Sequence, residues 1–163
     1  MKMGNQKKLK QNGLSLVELL ITLVVISIIS TIAIPNLSKP INKNNLLAVR
    51  DSLVRDLNHA KNSASRMGVS IQIVFNKIVT GCGNETMAWA LIRVSTNEIL
   101  RCQPKSSNLF YKTTMTFSKP ITEWTYLPNG LSNSKEDMKI TFTRESNDEI
   151  VNIFAGGFIN YEN

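Results

Sequence analysis

The first apolar segment of the chain is long enough to cross a membrane. From Leu14 to Ile34 the sequence reads LSLVELLITLVVISIISTIAI, and Glu18 is its one charged residue. About 20 predominantly apolar residues in a helix span the hydrocarbon core of a bilayer. The pattern therefore predicts a transmembrane helix over residues 14–35 that carries a carboxylate near its start and ends at Pro35.

A second helical pattern follows a polar stretch. Residues 36–45 are mostly polar, and a proline inside a helix removes a hydrogen bond, so a kink at Pro35 and Pro40 and a weakened or melted stretch are expected. Residues 36–68 as a whole are predicted to form the amphipathic second half of the helix, with regular helical periodicity from Leu46 and an end at Gly68. Its apolar stripe has spacings of three and four and consists of Leu46, Val49, Leu53, Leu57, Ala60, Ala64 and Met67. The charged residues expected largely off this stripe are Arg50, Asp51, Arg55, Asp56, Lys61 and Arg66.

Residues 69–163 have the pattern of strands separated by turns. Runs rich in β-branched and aromatic residues alternate with turn signals at residues 96–97, 128–130 and 146–148. The predicted strands lie within residues 69–79, 88–95, 98–103, 109–117, 122–127, 138–144 and 149–156. The predicted fold class is therefore α+β, with a long N-terminal helix packed against a mostly antiparallel sheet.

The distribution of charge predicts an orientation in the membrane. The net charge is +7, and the segment 1–12 contains four lysines and no acidic residue, so the rest of the chain is only slightly basic. Basic residues beside an apolar span stay on the cytoplasmic side. The N-terminus is therefore expected in the cytoplasm, with a single pass through the membrane and the residues after Ile34 outside the cytoplasm.

The two cysteines of the chain, Cys82 and Cys102, would then lie outside the cytoplasm, where disulfides persist. A bridge between them closes a loop of about 20 residues and contributes about 3 kcal/mol in the chain-entropy model. We predict this disulfide; two buried free thiols are the alternative. Together with the single histidine, His59, the pair offers too few ligands for a metal site, and no cofactor is expected.

The segment 7–18 combines three features at fixed spacing. The basic pair Lys7-Lys8 precedes Gly13, the apolar helix starts at Leu14, and Glu18 is the fifth residue after the glycine. An ordinary secretory signal has a shorter apolar core followed by a cleavage site of small residues. One alternative is cleavage after Ala33, which would release a soluble domain and leave the presence of Glu18 unexplained. An uncleaved signal anchor is a second alternative.

Through this motif the chain resembles the type IV pilins and the pseudopilins of type II secretion. The resemblance implies that a prepilin peptidase cleaves between Gly13 and Leu14, removes the leader 1–13 and N-methylates Leu14. Pro35 at the end of the apolar segment also matches the pilin helix pattern.

Glu18 then has an expected role in assembly. Cleavage creates an α-amino group that is positive near neutral pH. Where the apolar segments of neighbouring subunits pack away from water, an unpaired buried charge is costly. Glu18 is therefore expected to pair with the amine of Leu14 in a neighbouring subunit and so set the register. The alternative is that Glu18 lies at the membrane interface of an ordinary anchor, where it is tolerated without a role in assembly.

Three later stretches resemble the GspH/FimT group of minor pilins. They are residues 55–75, 123–132 and 150–161, which match the group's helix-to-strand segment, its Pro-Gly turn and its closing strand with glycine. The resemblance implies a minor subunit that helps to initiate pilus assembly with other pilins and the inner-membrane assembly platform, at or near the filament tip. A minor pseudopilin of a type II secretion system is the alternative, because both systems use the same signal.

DNA binding for uptake is a further alternative. Some members of this group bind DNA through arginines just after the closing glycine. In this chain the residues that follow Gly157 contain no arginine and one glutamate, so this tail lacks cations that would release counterions from phosphates. Lys105, Lys112 and Lys119 are evenly scattered, which is typical of a solvated surface.

Enzymatic activity is not expected. The sequence has one histidine, no Gly-x-Ser-x-Gly elbow, no phosphate-binding glycine loop and no paired zinc ligands. The acidic run 144–149 lacks the spaced ligands and glycine of a calcium loop and is predicted as a hairpin turn. His59 is expected at the surface or facing the sheet, and Trp89 and Trp124 in the core or on the sheet surface.

Overall fold

A long helix followed by eight strands makes up the part of the chain that the structure describes. This structure is a computed structural model that describes residues 15–162, without the side-chain surroundings of residues 32–39 and 162. Gly13 and Leu14 lie outside the described residues, so the predicted cleavage site stays a prediction. The elements are α1 (Leu16–Met67), β1 (Ile71–Ile78), β2 (Thr86–Arg93), β3 (Glu98–Pro104), a short 3-10 helix (Asn108–Phe110), β4 (Thr114–Phe117), β5 (Glu123–Tyr126), β6 (Met138–Arg144), β7 (Asn147–Ile153) and β8 (Ile159–Glu162).

The chain divides into two compact units between Lys39 and Pro40. Residues 36–45 are helical, so the predicted melted stretch is wrong. A proline removes a single backbone hydrogen bond, and the bonds of the flanking turns can keep the local helical conformation. The kink expected at Pro35 and Pro40 stays a prediction.

The second unit is organised around the apolar stripe of α1. Six members of the predicted stripe are fully buried, namely Leu46, Val49, Leu53, Leu57, Ala60 and Ala64. The seventh, Met67, is 43% exposed, so its assignment to the core is wrong. Met67 is the last residue of α1, and Gly68, with φ +64°, adopts the left-handed conformation that ends a helix and redirects the chain.

The strands form two antiparallel sheets rather than one. The order is β3-β2-β1-β5 in sheet A and β4-β6-β7-β8 in sheet B. The predicted hairpins β2–β3 and β6–β7 are confirmed, and so is the α+β class with antiparallel pairing. Strand β8, which pairs with β7 from Ile153↔Ile159 to Ile150↔Glu162, extends the second hairpin and was not predicted as a separate strand.

The main core joins α1 to one face of each sheet. Trp89 and Trp124 from sheet A are both buried in this core, as are Phe142 and Ile153 from sheet B. Aromatic side chains of this size dominate the energetics of a core. The tryptophans therefore belong to the core, which is one of the two positions predicted for them.

A second, smaller cluster covers the opposite face of sheet A. Its fully or largely buried members are Val74, Val79, Met87 and Ala90, with Cys82, Ile92, Ile99 and Cys102 packed around them. Cys82 and Cys102 form a disulfide. The bridge ties the loop that follows β1 to β3 and holds it over this second cluster.

Removing the disulfide is expected to lower the free energy of unfolding by about 3 kcal/mol, because the unfolded chain regains the entropy of a loop of about 20 residues. The variant is the double replacement Cys82→Ser with Cys102→Ser, and the measurement is urea unfolding followed by tryptophan fluorescence. Wild type treated with a reductant should show the same loss. A loss below about 1 kcal/mol in both would contradict the chain-entropy account.

Tyr126 is expected to make the fold less stable at alkaline pH. Its side chain is fully buried, and this burial raises its pKa above the usual value of about 10. The unfolded chain ionises above about pH 10 while the folded chain keeps the phenol neutral. Stability present below that pH is therefore lost as the pH rises, by about 1.4 kcal/mol per pH unit.

The measurement is urea unfolding of wild type and of Tyr126→Phe at about pH 8 and about pH 11. Wild type should lose more stability between the two pH values than the phenylalanine variant, which has no hydroxyl to ionise. Equal losses in the two proteins would show that this tyrosine does not cause the alkaline sensitivity.

Candidate functional site

Glu18 is exposed in the first turn of α1. The backbone N–H groups of Glu18 and Leu19 donate to the carbonyl of Ser15 at 3.0 and 3.2 Å, which begins the helix. An acidic side chain at this position also interacts favourably with the positive end of the helix dipole. Its predicted partner, the amine created at Leu14, lies outside the described residues, so the pairing stays a prediction.

The residues on both sides of Glu18 surround the helix with exposed apolar side chains. Their exposed fractions range from 48% at Val25 to 82% at Leu16. The set is Leu16, Val17, Leu19, Leu20, Ile21, Leu23, Val24, Val25, Ile26, Ile28 and Ile29. A helix that is apolar on all sides belongs in a protein core or a membrane. Within the described residues, no helix reaches the length and hydropathy of a membrane span.

The hydroxyl groups of this segment are satisfied inside the helix. Thr22, Ser27 and Thr31 donate to the carbonyl three residues earlier, and Ser30 to the carbonyl four residues earlier, at 2.7–2.8 Å. Such bonds let a hydroxyl lie in apolar surroundings without an outside partner. Among residues 16–31, Glu18 is therefore the side chain whose burial would need a partner of opposite charge.

In the second unit, α1 is tied to sheet B by a buried ion pair. Arg50 is 6% exposed, and its Nη1 lies 2.7 Å from Oε2 of buried Glu149 on β7, while its Nη2 lies 3.0 Å from Asp51. Burial alone would lower the pKa of Arg50, but the hydrogen bonds and charges of Asp51 and Glu149 outweigh it and raise that pKa. The prediction that Arg50 lies off the buried face is therefore wrong.

Asp56 is the second charged residue of α1 that the structure places inside. Its carboxylate accepts a hydrogen bond from Nε1 of Trp89 at 2.8 Å and lies 3.0 Å from Nε of Arg101. Helical periodicity did not reveal this position, because its partners lie on strands far along the sequence. The two buried carboxylates, Asp56 and Glu149, have structural partners that explain their burial.

The C-terminal hairpin is held against α1 by two cations. Lys61 donates through Nζ to the carbonyl of Gly157 at 3.3 Å, and the same nitrogen lies 4.7 Å from the ring centroid of Phe158. Farther along the tail, the guanidinium of Arg50 lies 4.8 Å from the ring centroid of Tyr161. Both distances suit cation–π attraction. Basic groups of the helix thus fix the tail in place.

The closing glycine is required by its surroundings. Gly157 has φ +80°, and a Cβ there would lie 3.0 Å from Cε1 of Tyr126 and 3.1 Å from the backbone nitrogen of Ser132. No larger residue fits without moving backbone. This contact joins the turn before β8 to the Pro-Gly turn that follows β5.

The remaining residues singled out in the sequence lie apart from these contacts. His59 is exposed on α1, and the turn between β6 and β7 is a hairpin turn as predicted. The described residues contain no group of three or more His, Cys, Asp or Glu side chains able to hold a metal ion. Lys105, Lys112 and Lys119 are exposed, and Lys119 pairs with Glu136.

A hollow of about 290 Å³ that no sequence pattern indicates lies on the outer face of sheet A, beside the disulfide-bound loop. We call it the outer hollow. Its lining residues are Gln72, Val74, Lys77, Ile78, Val79, Thr80, Ile92, Asn97, Ile99 and Glu123. Apolar residues from β1, β2 and β3 contribute to the lining, together with the two opposite charges of Lys77 and Glu123.

The N-terminal segment matches a known family. A family model described as the prokaryotic N-terminal methylation motif matches residues 8–34, a range that includes Gly13, Leu14 and Glu18. By sequence, no curated protein matches the chain.

The fold resembles that of the type IV minor pilin FimU from Pseudomonas aeruginosa (strain PAO1), solved in two crystal forms. The P21 form has a TM-score of 0.57 at 13% identity and covers 74% of this chain and 90% of FimU. The P65 form has a TM-score of 0.53 at 13% identity and covers 72% and 92%. The predicted N-terminal motif is thus confirmed over residues 8–34, and the predicted resemblance to type IV minor pilins is confirmed in the fold.

Proposed function

We propose that this chain is a minor type IV pilin-like subunit that helps to initiate pilus assembly and lies at or near the filament tip. The observation that carries the proposal is the joint presence of the methylation motif at residues 8–34 and the fold of a minor pilin in one chain. The motif accounts for processing and anchoring. The fold accounts for display of a globular unit on a filament.

In this proposal the leader 1–13 is removed by prepilin peptidase, and the new N-terminus at Leu14 is methylated. Residues 14–35 then serve as the transmembrane helix and later as the filament-core helix. The apolar surface around α1 and its internally bonded hydroxyls support both settings, because neither lipid nor packed helices offer polar partners. Residues 36–68 form the amphipathic second half, and residues 69–163 form the periplasmic unit.

The proposed partners follow from the same features. Within the bilayer, the subunit is a single-pass protein of the inner membrane with its N-terminus in the cytoplasm. During assembly it contacts the inner-membrane platform and other minor and major pilins through the apolar helix. The role is structural rather than enzymatic.

Glu18 is expected to control incorporation rather than folding. Replacing it by glutamine leaves the neighbouring amine without a counter-charge, and breaking a buried pair in this way costs about 3–5 kcal/mol. We therefore expect Glu18→Gln to be processed normally and to fall by about tenfold or more in filaments released by shearing. The measurement is an immunoblot of an epitope-tagged chain in the sheared and membrane fractions.

A matched control is Glu98→Gln, which changes an exposed carboxylate on β3 that pairs with Arg93. This control should enter filaments as wild type does. If Glu18→Gln were incorporated as well as the control, the proposed charge pairing would be wrong.

The methylation motif is shared with pseudopilins, so a minor pseudopilin of a type II secretion system is the second candidate. The two candidates differ in the phenotype of a deletion. Loss of secreted proteins with normal pili would favour the pseudopilin, and loss of pili with normal secretion would favour the pilin.

A further inference from the structure

Met67 is the exposed methionine in the part of the chain that the structure describes. It is 43% exposed at the end of α1, whereas the other three described methionines, Met87, Met115 and Met138, are at most 8% exposed. Methionine is converted to its sulfoxide by oxidants such as peroxides, and the oxidant must reach the sulfur. Met67 is therefore expected to be oxidised first among these four residues.

Arg93 of β2 contacts the sulfur of Met67. Its Nη2 donates a hydrogen bond to Sδ of Met67 at 3.3 Å. In the ladder between β1 and β2, Arg93 lies opposite Ile71, which follows closely after the end of α1. A thioether sulfur is a weak hydrogen-bond acceptor. The contact is therefore weaker than one that the same guanidinium could make to an oxygen atom.

One edge of the Arg93 guanidinium has an unused donor. On the other edge, Nη1 lies 2.6 Å from Oε2 of Glu98, the residue opposite Arg93 on β3. Nε is buried and has no hydrogen-bond partner among the described residues. In a guanidinium the N–H of Nε and one N–H of Nη2 point in the same direction and form a fork. The sulfur of Met67 uses one of the two donors of this fork.

We propose that Met67 is an oxidation site and that Arg93 binds its sulfoxide. The sulfur attacks the terminal oxygen of a hydroperoxide with a lone pair, so that an S–O bond forms, the O–O bond breaks and the proton of that oxygen passes to the leaving oxygen. The thioether loses two electrons, and the hydroperoxide is reduced to an alcohol, or to water where hydrogen peroxide is the oxidant. The new oxygen then accepts hydrogen bonds from Nε and Nη2 of Arg93. The unbranched side chain of methionine, with three rotatable bonds, allows it to turn into this position.

Oxidation is then expected to strengthen a contact rather than to disrupt one. A sulfoxide inside a core disrupts packing because it is polar. Met67 lies outside the core, and its sulfoxide would satisfy a buried N–H for which the lack of a partner is costly. The oxidised end of α1 is thus held more firmly to β2 until a methionine sulfoxide reductase restores the thioether. The inference does not depend on the function proposed above.

The test measures oxidation and hydrogen exchange in the full-length protein in detergent. After brief treatment with hydrogen peroxide, peptide mass spectrometry should find Met67 oxidised before the three buried methionines. Backbone hydrogen exchange is then measured by mass spectrometry on the peptide that covers the end of α1. Exchange there should slow by about threefold or more, because the added hydrogen bonds oppose local opening of the last turn.

Arg93→Lys is the matched variant, because lysine keeps the positive charge beside Glu98 but lacks the fork. In this variant Met67 should still be oxidised, while exchange at the end of α1 should not slow. Met67→Leu is the control for oxidation elsewhere in the chain, and peroxide should leave its exchange unchanged. The proposal is overturned if a buried methionine is oxidised before Met67, if oxidation leaves exchange in the wild type unchanged or faster, or if either variant shows the same slowing as the wild type.

Discussion

Gly13→Val is expected to leave the leader on the protein and to abolish incorporation into filaments. The physical reason is steric: prepilin peptidase must bind the chain around the bond that follows Gly13, and valine adds a β-branched side chain next to that bond. The retained leader adds its four lysines in front of the apolar helix, which must otherwise pack among other helices. The measurement is the intact mass of the chain purified from membranes.

The matched control for this prediction is Gly4→Val, which makes the same change elsewhere in the leader. Its product should be cleaved and should have the mass of residues 14–163 plus one methyl group. A mature N-terminus at Leu14 in the Gly13→Val protein would contradict the assignment of the cleavage site.

Glu149→Ala is expected to cost about 3–5 kcal/mol in the free energy of unfolding. The replacement leaves the buried guanidinium of Arg50 with Asp51, a half-exposed carboxylate, as its remaining ion-pair partner among the described salt bridges. A buried charge that loses one of its partners is not fully rehydrated, so its desolvation is offset less well than in the wild type. The same change also weakens the attachment of β7 to α1.

The measurement is urea unfolding of the full-length protein in detergent, followed by tryptophan fluorescence. Both tryptophans of the chain, Trp89 and Trp124, lie in the main core of the second unit and report on its unfolding. Glu136→Ala is the control, because Glu136 belongs to an exposed pair with Lys119, and it should cost less than about 1 kcal/mol. Equal losses in the two variants would show that the pair with Arg50 contributes no more than a surface pair.

Local patterns were sufficient to predict much of the fold. The stripe from Leu46 to Ala64 follows the helical repeat, and each of its members is buried because a helix presents such a stripe to one surface. The hairpin β2–β3 follows from a turn between two short runs of strand-forming residues. Both features depend on residues close together in the sequence.

Long-range pairing was not accessible to the same reasoning. Whether β1 pairs with β5 or with β4 depends on strand register and on contacts between distant segments, so the division into two sheets was not predicted. The burial of Arg50 and Asp56 was not predicted for the same reason, because their counter-charges lie on the distant strands β7 and β3. The outer hollow requires three strands and the disulfide loop together.

The N-terminal motif was predictable because all of its parts lie within 12 consecutive residues, 7–18. The predicted chemistry combines a cleavage site, an apolar start and a carboxylate at fixed spacing, and the matched family model covers residues 8–34. Contacts between segments far apart in the sequence have no comparable signature. An example is the contact of Phe158 in the tail with Lys61 of α1.

The central claim is tested most directly by the number of surface pili after deletion of the gene, counted in a strain that cannot retract its pili. The proposed role in initiation predicts that pili disappear or fall sharply and that a plasmid copy of the wild-type gene restores them. A retraction-deficient deletion strain with an unchanged number of pili would contradict that role.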